Sequence, residues 1–298
     1  PASCAALMQA LADAGLPPGV LNLVFGVPAE ISGYLVPHKT IRKVSFTGSV
    51  PVGKHLAAMA GAHMKRVTME LGGHSPAIVF ADADVDVAAK ILSANKYRNA
   101  GQICVSPTRF IVHDEVYEPF VERFVAAAKA VKVGDGMTAG VTMGPLATAR
   151  RVEAMEGFIA DAVARGAKLR TGGRRIGNTG YFFEPTVLTD VPDDARLLKE
   201  EIFGPVAPVK AFASDDEAIA AANDTEFGLV AYAFTRDLAR AYRVIDRLET
   251  GMVGLNQGIV SNAGAPFGGI KHSGFGREGG PEGIEEYLEH KYVALNVG

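Results

Sequence analysis

The chain has 298 residues, 48% hydrophobic and 21% charged, with a formal net charge of −3. These values suit a soluble globular protein of one large or two medium domains. No Lys/Arg cluster, aromatic-basic stripe, bilayer-length apolar run or secretory pattern is present, so neither nucleic acid nor a membrane is expected as a partner. In chain order, residues 3–14 read as a helix, 21–25 (LNLVF) as a strand and 43–46 (KVSF) as a strand leading to a helix from Pro51 to about Ala60. Residues 65–71 and 77–80 read as short apolar strands, 85–97 as a helix, 109–113 as a strand and 115–131 as an amphipathic helix. Helices at 148–165, 215–223 and 237–249 then alternate with strands at 181–189, 230–235 and 252–256, and 288–298 reads as a final strand. Repeated β-then-α order predicts an α/β fold with substantially parallel sheets.

Two glycine-rich stretches invite a nucleotide. FTGSVPVGKH (46–55) follows a strand and opens a helix, where Ser49 suits the cap and Pro51 the first turn. Free N–H groups at such a start bind phosphate. The stretch nearly spells a P-loop, but His55 stands where the magnesium-binding Ser/Thr belongs. A P-loop nucleotide-binding protein, with 77–84 (AIVFADAD) as its acidic strand end, is therefore one rival reading. GFGREG (274–279) matches G-x-G-x-x-G but follows no clear strand, so it reads as a glycine-rich loop.

Cys4 and Cys104 are the two cysteines, a hundred residues apart. They form no disulfide framework and no metal-ligand pair, and a reducing, cytoplasmic setting is expected. A free cysteine is commonly buried and inert. Yet Cys104 lies among Asn99, Gly101, Gln102, Ser106 and Pro107, the composition of a loop between helix and strand, where function concentrates. A nucleophilic thiol needs proton management nearby. Glu70 is a candidate, because it ends an apolar strand and precedes Gly72 and Gly73, which allow close approach.

These stretches, taken together, resemble the NAD(P)-dependent aldehyde dehydrogenases. ELGGHSP (70–76) is similar to that family's general-base motif, NAGQIC (99–104) to its nucleophile motif and EEIFGPV (200–206) to its cofactor-ribose motif. PFGGIKHSGFGREGG (266–280) is similar to its C-terminal signature, and FTGS with PPGVLNLVFG (17–26) to its cofactor-domain segments. The motifs follow the family's order from Pro1 to Gly298. The resemblance implies an aldehyde dehydrogenase-like α/β fold, with a partial Rossmann-type cofactor domain at 1–72 and a catalytic domain at 73–272. It places a return segment with an oligomerisation strand at 273–298. It makes Cys104 the nucleophile and Glu70 the general base. Gly26, Gly48, Ser49, Leu71, Gly72, Glu201 and Phe203 would bind NAD or NADP, and no metal is implied.

Arg98 bears on the substrate. By itself it is an arginine at a helix end, placed to satisfy final carbonyls. YRNAGQIC, however, is similar to the succinate-semialdehyde branch, in which an arginine here grips the substrate's far carboxylate. Ser261 and Phe267 complete the implied substrate set. Ser106 stands where bacterial members of that branch often carry a second cysteine, which rules out a Cys–x–Cys switch. CVSPTR is closer to the 2-oxoglutarate-semialdehyde dehydrogenases, so an ω-carboxylated semialdehyde of unspecified length is expected. The resemblance also implies a segment preceding Pro1, with an oxyanion-hole asparagine and an adenosine-ribose contact. An inactive truncated scaffold is accordingly the second rival reading. A homodimer or homotetramer, joined through 288–298, is the implied assembly.

Overall fold

The computed structural model describes all 298 residues. Its regular elements begin with α1 (Ala2–Asp13), α2 (Pro28–Leu35), β1 (Lys43–Thr47), α3 (Val50–Ala62), β2 (Arg66–Glu70), β3 (Ser75–Val79), α4 (Val85–Tyr97) and β4 (Pro107–His113). They continue with α5 (Tyr117–Ala130), α6 (Ala149–Ala164), β5 (Lys168–Thr171), β6 (Thr186–Thr189), β7 (Val206–Phe212), α7 (Asp215–Asn223), β8 (Phe227–Gly228) and β9 (Val230–Phe234). The last are α8 (Leu238–Arg247), β10 (Met252–Leu255), β11 (Ile270–Lys271), β12 (Gly274–Phe275) and α9 (Gly280–Glu285). The chain divides into two units, residues 1–44 with 54–67 and residues 45–53 with 68–298.

The larger unit is built on a seven-stranded sheet in the order β10-β9-β3-β4-β7-β6-β5. Every pair is parallel except β5 with β6. β3 is central because all five of its residues, SPAIV, are buried, which requires cover on both faces. Its side chains alternate. Ala77 and Val79 join Leu92 of α4 and Phe120 and Phe124 of α5 in one core. Ile78 and the following Phe80 join Ile219 of α7 and Val244 of α8 in another. Phe124 is fully buried and meets Phe110 edge-on, with centroids 4.8 Å apart. Burial of such a side chain contributes about 2–3 kcal/mol.

Three of the helices that flank this sheet start on side-chain caps. Asp84 accepts from Val87 N–H (3.1 Å) to start α4, Ser214 accepts from Glu217 N–H (3.3 Å) to start α7, and Asp237 caps α8. In the smaller unit, the Lys65 ammonium donates to the His38 and Ile41 carbonyls at 3.0 and 2.7 Å.

Three expected strands come out differently. Residues 21–25 form no strand, since no neighbouring strand of their unit pairs with them, and Val24 and Phe25 are exposed. In 181–189 only β6 is regular; Pro185 interrupts the run, and Phe183 makes an isolated bridge to Arg175. Residues 288–298 form no strand in the single chain. The helix expected over 115–131 is a 3₁₀ turn at Asp114–Val116 followed by α5.

Candidate active site

Three loops enter the parallel sheet side by side. Residues 71–74 lead into β3, 102–106 into β4 and 200–205 into β7. Ser75 is in register with Pro107, and β4 pairs with β7, so the sheet brings these loops together at its N-terminal edge. Open α/β sheets more commonly place ligands at the carboxyl ends of their strands.

The loop that carries Cys104 begins with three successive left-handed residues, Asn99 (φ 50°), Ala100 (φ 54°) and Gly101 (φ 70°). The first two cost roughly 1–2 kcal/mol each. Side chains hold this turn in place. Asn99 donates to the Gln102 carbonyl (3.1 Å), while Gln102 donates back to the Asn99 carbonyl (3.1 Å) and accepts from Ala147 N–H (2.8 Å). A Cβ on Gly101 would stand 2.3 Å from the Gly204 carbonyl oxygen, so this turn seats directly on the third loop. Cys104 is partly buried and reduced. Burial raises its thiol pKa most, and the charges of Glu70 and then Glu201 raise it further; the Val105 and Cys104 N–H groups act in the opposite direction. Both carboxylates therefore lie within electrostatic reach of the sulfur.

Glu70 ends β2 with only 3% of its surface exposed, and neither carboxylate oxygen has a hydrogen-bond partner. Burial, reinforced by Glu278 and opposed by Arg277, pushes its pKa up to about 8. It is thus a carboxyl held near neutrality and poised to exchange a proton at ordinary pH. A Cβ on Gly268 would come 2.8 Å from Glu70 Oε1. Phe267 precedes that glycine and exchanges backbone hydrogen bonds with Glu278 at 2.6 and 2.7 Å.

Glu201 accepts from Gly73 N–H at 3.0 Å. A Cβ on Gly72 would lie 2.6 Å from Glu201 Oε2, and one on Gly73 would lie 2.7 Å from the Cys104 carbonyl oxygen. The glycine pair therefore lets both the carboxylate and the nucleophile loop close on the β2–β3 connection. Arg151 of α6 donates to the Ile202 carbonyl, and its charge acts on Glu201. Phe203 has φ 45°, an uncommon conformation held by this packing. Gly73→Ala should push against backbone rather than a movable side chain and cost about 1–3 kcal/mol. A lower Tm in thermal unfolding is the expected result; an unchanged Tm would show that the nucleophile loop does not rest on Gly73.

The stretch read as a phosphate loop connects to the same place. Gly48 N–H donates to the Glu70 carbonyl (3.1 Å), the Ser49 carbonyl accepts from Gly53 N–H (2.9 Å) in the first turn of α3, and a Cβ on Gly53 would strike the Leu71 side chain. Gly48, Ser49, Leu71, Gly72 and Glu201 thus form a run of contacts beside Cys104. A helix start, a side-chain-free glycine surface and a fixed carboxylate suit the phosphates, ring and ribose of a dinucleotide. Gly26 lies in the smaller unit, with its Cα facing Ile31.

Arg98 follows the last residue of α4; its backbone N–H donates to the Ala94 carbonyl, while its exposed guanidinium makes no hydrogen bond or ion pair. It lines a pocket of about 370 Å³ with Ile91, Ala94, Asn95, Gly258 and Ile259. Ser261 lies exposed three residues beyond Gly258 on the same loop. The sequence marked Gly73 as open to close approach and set Gly268 and Glu278 in a glycine-rich signature, but not which groups they meet; it gave no signal for Arg151, whose contacts are long-range.

Residues 1–293 match the family model described as "Aldehyde dehydrogenase family". Glutarate-semialdehyde dehydrogenase of Pseudomonas aeruginosa is 50% identical over 295 residues, 99% of this chain and 61% of that protein. Mitochondrial succinate-semialdehyde dehydrogenase of Arabidopsis thaliana is 48% identical over 99% of this chain and 56% of its own length. A solved structure described as an E. coli NADP dependent enzyme superposes with a TM-score of 0.97 at 47% identity, covering 99% of this chain and 61% of that one. The chain spans about three-fifths of the length of such relatives.

Proposed function

Because the chain belongs to the aldehyde dehydrogenase family, we propose that it oxidises an ω-carboxylated semialdehyde to the corresponding acid, with Cys104 as nucleophile and NAD or NADP as cofactor. The observation that carries this reading is the meeting of Cys104, Glu70 and Glu201 around Gly72 and Gly73.

The Cys104 thiol loses its proton, and the sulfur adds to the aldehyde carbon to give a thiohemiacetal. The Cys104 backbone N–H donates to the developing oxyanion. NAD or NADP, when bound, would supply the hydride acceptor for oxidation of this adduct to a thioester. Glu70 then removes a proton from water, which attacks the thioester and releases the acid and the Cys104 thiol. Gly48 and Ser49 would hold cofactor phosphate, Leu71, Gly72 and Phe203 would flank the nicotinamide, and Glu201 would hold its ribose. Gly26 would complete the cofactor set. In this reading residues 1–72 belong with the cofactor domain, 73–272 with the catalytic domain, and 273–298 form the return segment.

Arg98 would take the substrate's far carboxylate through paired N–H donors, with Ser261 and Phe267 nearby. Its unpaired guanidinium at the mouth of a largely apolar pocket supports this, as do relatives named for succinate and glutarate semialdehyde. Arg98→Leu should raise KM for an acidic semialdehyde by about 10- to 100-fold, the worth of a hydrogen bond to a charged group. KM for an uncharged aldehyde of equal length should barely change. Equal changes for both would remove the carboxylate clamp.

A homodimer or homotetramer joined through 288–298 is consistent with the exposure of Tyr292, Val293, Leu295 and Val297 on that segment. A cytoplasmic setting fits two free cysteines, and no helix is long and apolar enough to cross a membrane.

A further inference from the structure

We propose that Tyr232 and Asn95 form a buried brace that fixes the span between the Cys104 sulfur and the Arg98 guanidinium, and so selects the chain length of the ω-carboxylated substrate. The proposal rests on the semialdehyde reading above and adds a determinant to it.

Tyr232, on β9, has no exposed surface. Its hydroxyl donates to the Val105 carbonyl at 2.6 Å, immediately after the nucleophile. Asn95, on α4 within one turn of Arg98, is 7% exposed. Its Nδ2 donates to the Gly258 carbonyl at 2.7 Å, and the same side chain neighbours the tyrosine hydroxyl. Gly258 is pressed close, because a Cβ there would stand 2.8 Å from Ile91 Cγ2 and 3.4 Å from Asn95 Nδ2. Two buried side chains thus tie together the nucleophile loop, the helix end that presents Arg98, and the loop that leads to Ser261.

The chemistry explains why a tyrosine stands here. Its neighbours on β9 are Ala231 and Ala233, and phenylalanine would fill nearly the same volume. A buried hydroxyl costs free energy unless it is bonded, so its hydrogen bond to the Val105 carbonyl accounts for it. A substrate gripped at both ends must match the distance between its two anchors. A brace that joins the backbone at both anchors sets that distance, and a loosened brace admits neighbouring lengths.

The test is alkylation of Cys104 by ω-iodocarboxylates of three, four and five carbons, each against its neutral amide, read by peptide mass spectrometry. The sulfur displaces iodide, so no cofactor or turnover is needed. In the wild-type chain the carboxylate-to-amide rate ratio should peak at one length. In Tyr232→Phe that peak should fall by about 3- to 10-fold, the loss of one hydrogen bond's orienting effect, while amide rates stay the same. Asn95→Ala, which spares the tyrosine, should flatten the profile in the same way and carries the test if Tyr232→Phe folds poorly. A wild-type profile without a peak, a peak unchanged in both variants, or amide rates that fall with it would each overturn the brace. Arg98→Leu should abolish the ratio at every length. If it does not, the carboxylate clamp fails separately from the brace.

Discussion

Replacing Cys104 by alanine is expected to lower aldehyde oxidation by on the order of 10⁴-fold or more, because no other group in the site can form the covalent adduct. The other cysteine, Cys4, is exposed and lies in the smaller unit. The fold should survive the change. Cys104 packs only partly against the main core, and its loop is held by Asn99, Gln102 and the Gly101–Gly204 contact rather than by the sulfur. Removing one sulfur from a partly exposed position should cost about 1 kcal/mol or less, so Tm should move by only a few degrees. A variant that folds normally and still oxidises aldehyde at the wild-type rate would show that the nucleophile lies elsewhere.

Glu70→Gln is expected to have the second largest effect, on release of the acyl group rather than its formation. Loss of a positioned general base costs about 10²–10⁴-fold, so a substrate-derived adduct should accumulate on Cys104 and be visible by intact mass. The pH dependence follows from the raised pKa. Below about 8 Glu70 is mostly protonated and cannot accept a proton from water; above it the carboxylate predominates. Deacylation by the wild-type chain should therefore climb with pH and level off above about 8, and in Glu70→Gln that rise should vanish. Glu278→Gln removes a neighbouring like charge, so the whole profile should shift to lower pH. The same shift acts on stability with a definite sign. The folded chain holds this proton more tightly than the unfolded one, so the contribution is complete below the ordinary value of 4.5 and is lost as pH rises through about 8. A flat deacylation profile across this range would remove Glu70 from the proton transfer.

Much of the fold was legible where local signals agree. α4 runs over 85–97 as read, since Asp84 caps it and its apolar positions recur at helical spacing. β7 went unread. Pro208 stands in its middle, and proline normally argues against a central strand. Here the residue is accommodated between β4 and β6, paired with Leu188. β5 went unread because KLRT is too polar to declare itself, as suits a strand at the sheet's end. Segment 21–25 misled because apolar composition signals a willing strand, but a strand exists only where a partner supplies hydrogen bonds; 288–298, read as a strand that pairs with another subunit, has no such neighbour in the single chain.

The site divides along the same line. Cys104, Glu70 and Glu201 were singled out through the wording of their motifs, and the loops that carry them come together. The glycines that let them meet were only partly legible, because nothing in GG or FGG states which carboxylate or carbonyl approaches. Tyr232 and Asn95 carried no signal at all. Their hydrogen bonds reach residues 127 and 163 positions away, and local periodicity marks them only as buried.

The most direct measurement is formation of reduced nicotinamide by this chain supplied with succinate or glutarate semialdehyde, with NAD and NADP tested separately and Cys104→Ala in parallel. The account predicts cofactor-dependent reduction by the wild-type chain that Cys104→Ala loses. No reduction with either cofactor, from a folded chain whose Cys104 reacts with alkylating reagents, would contradict it and favour the inactive-scaffold reading.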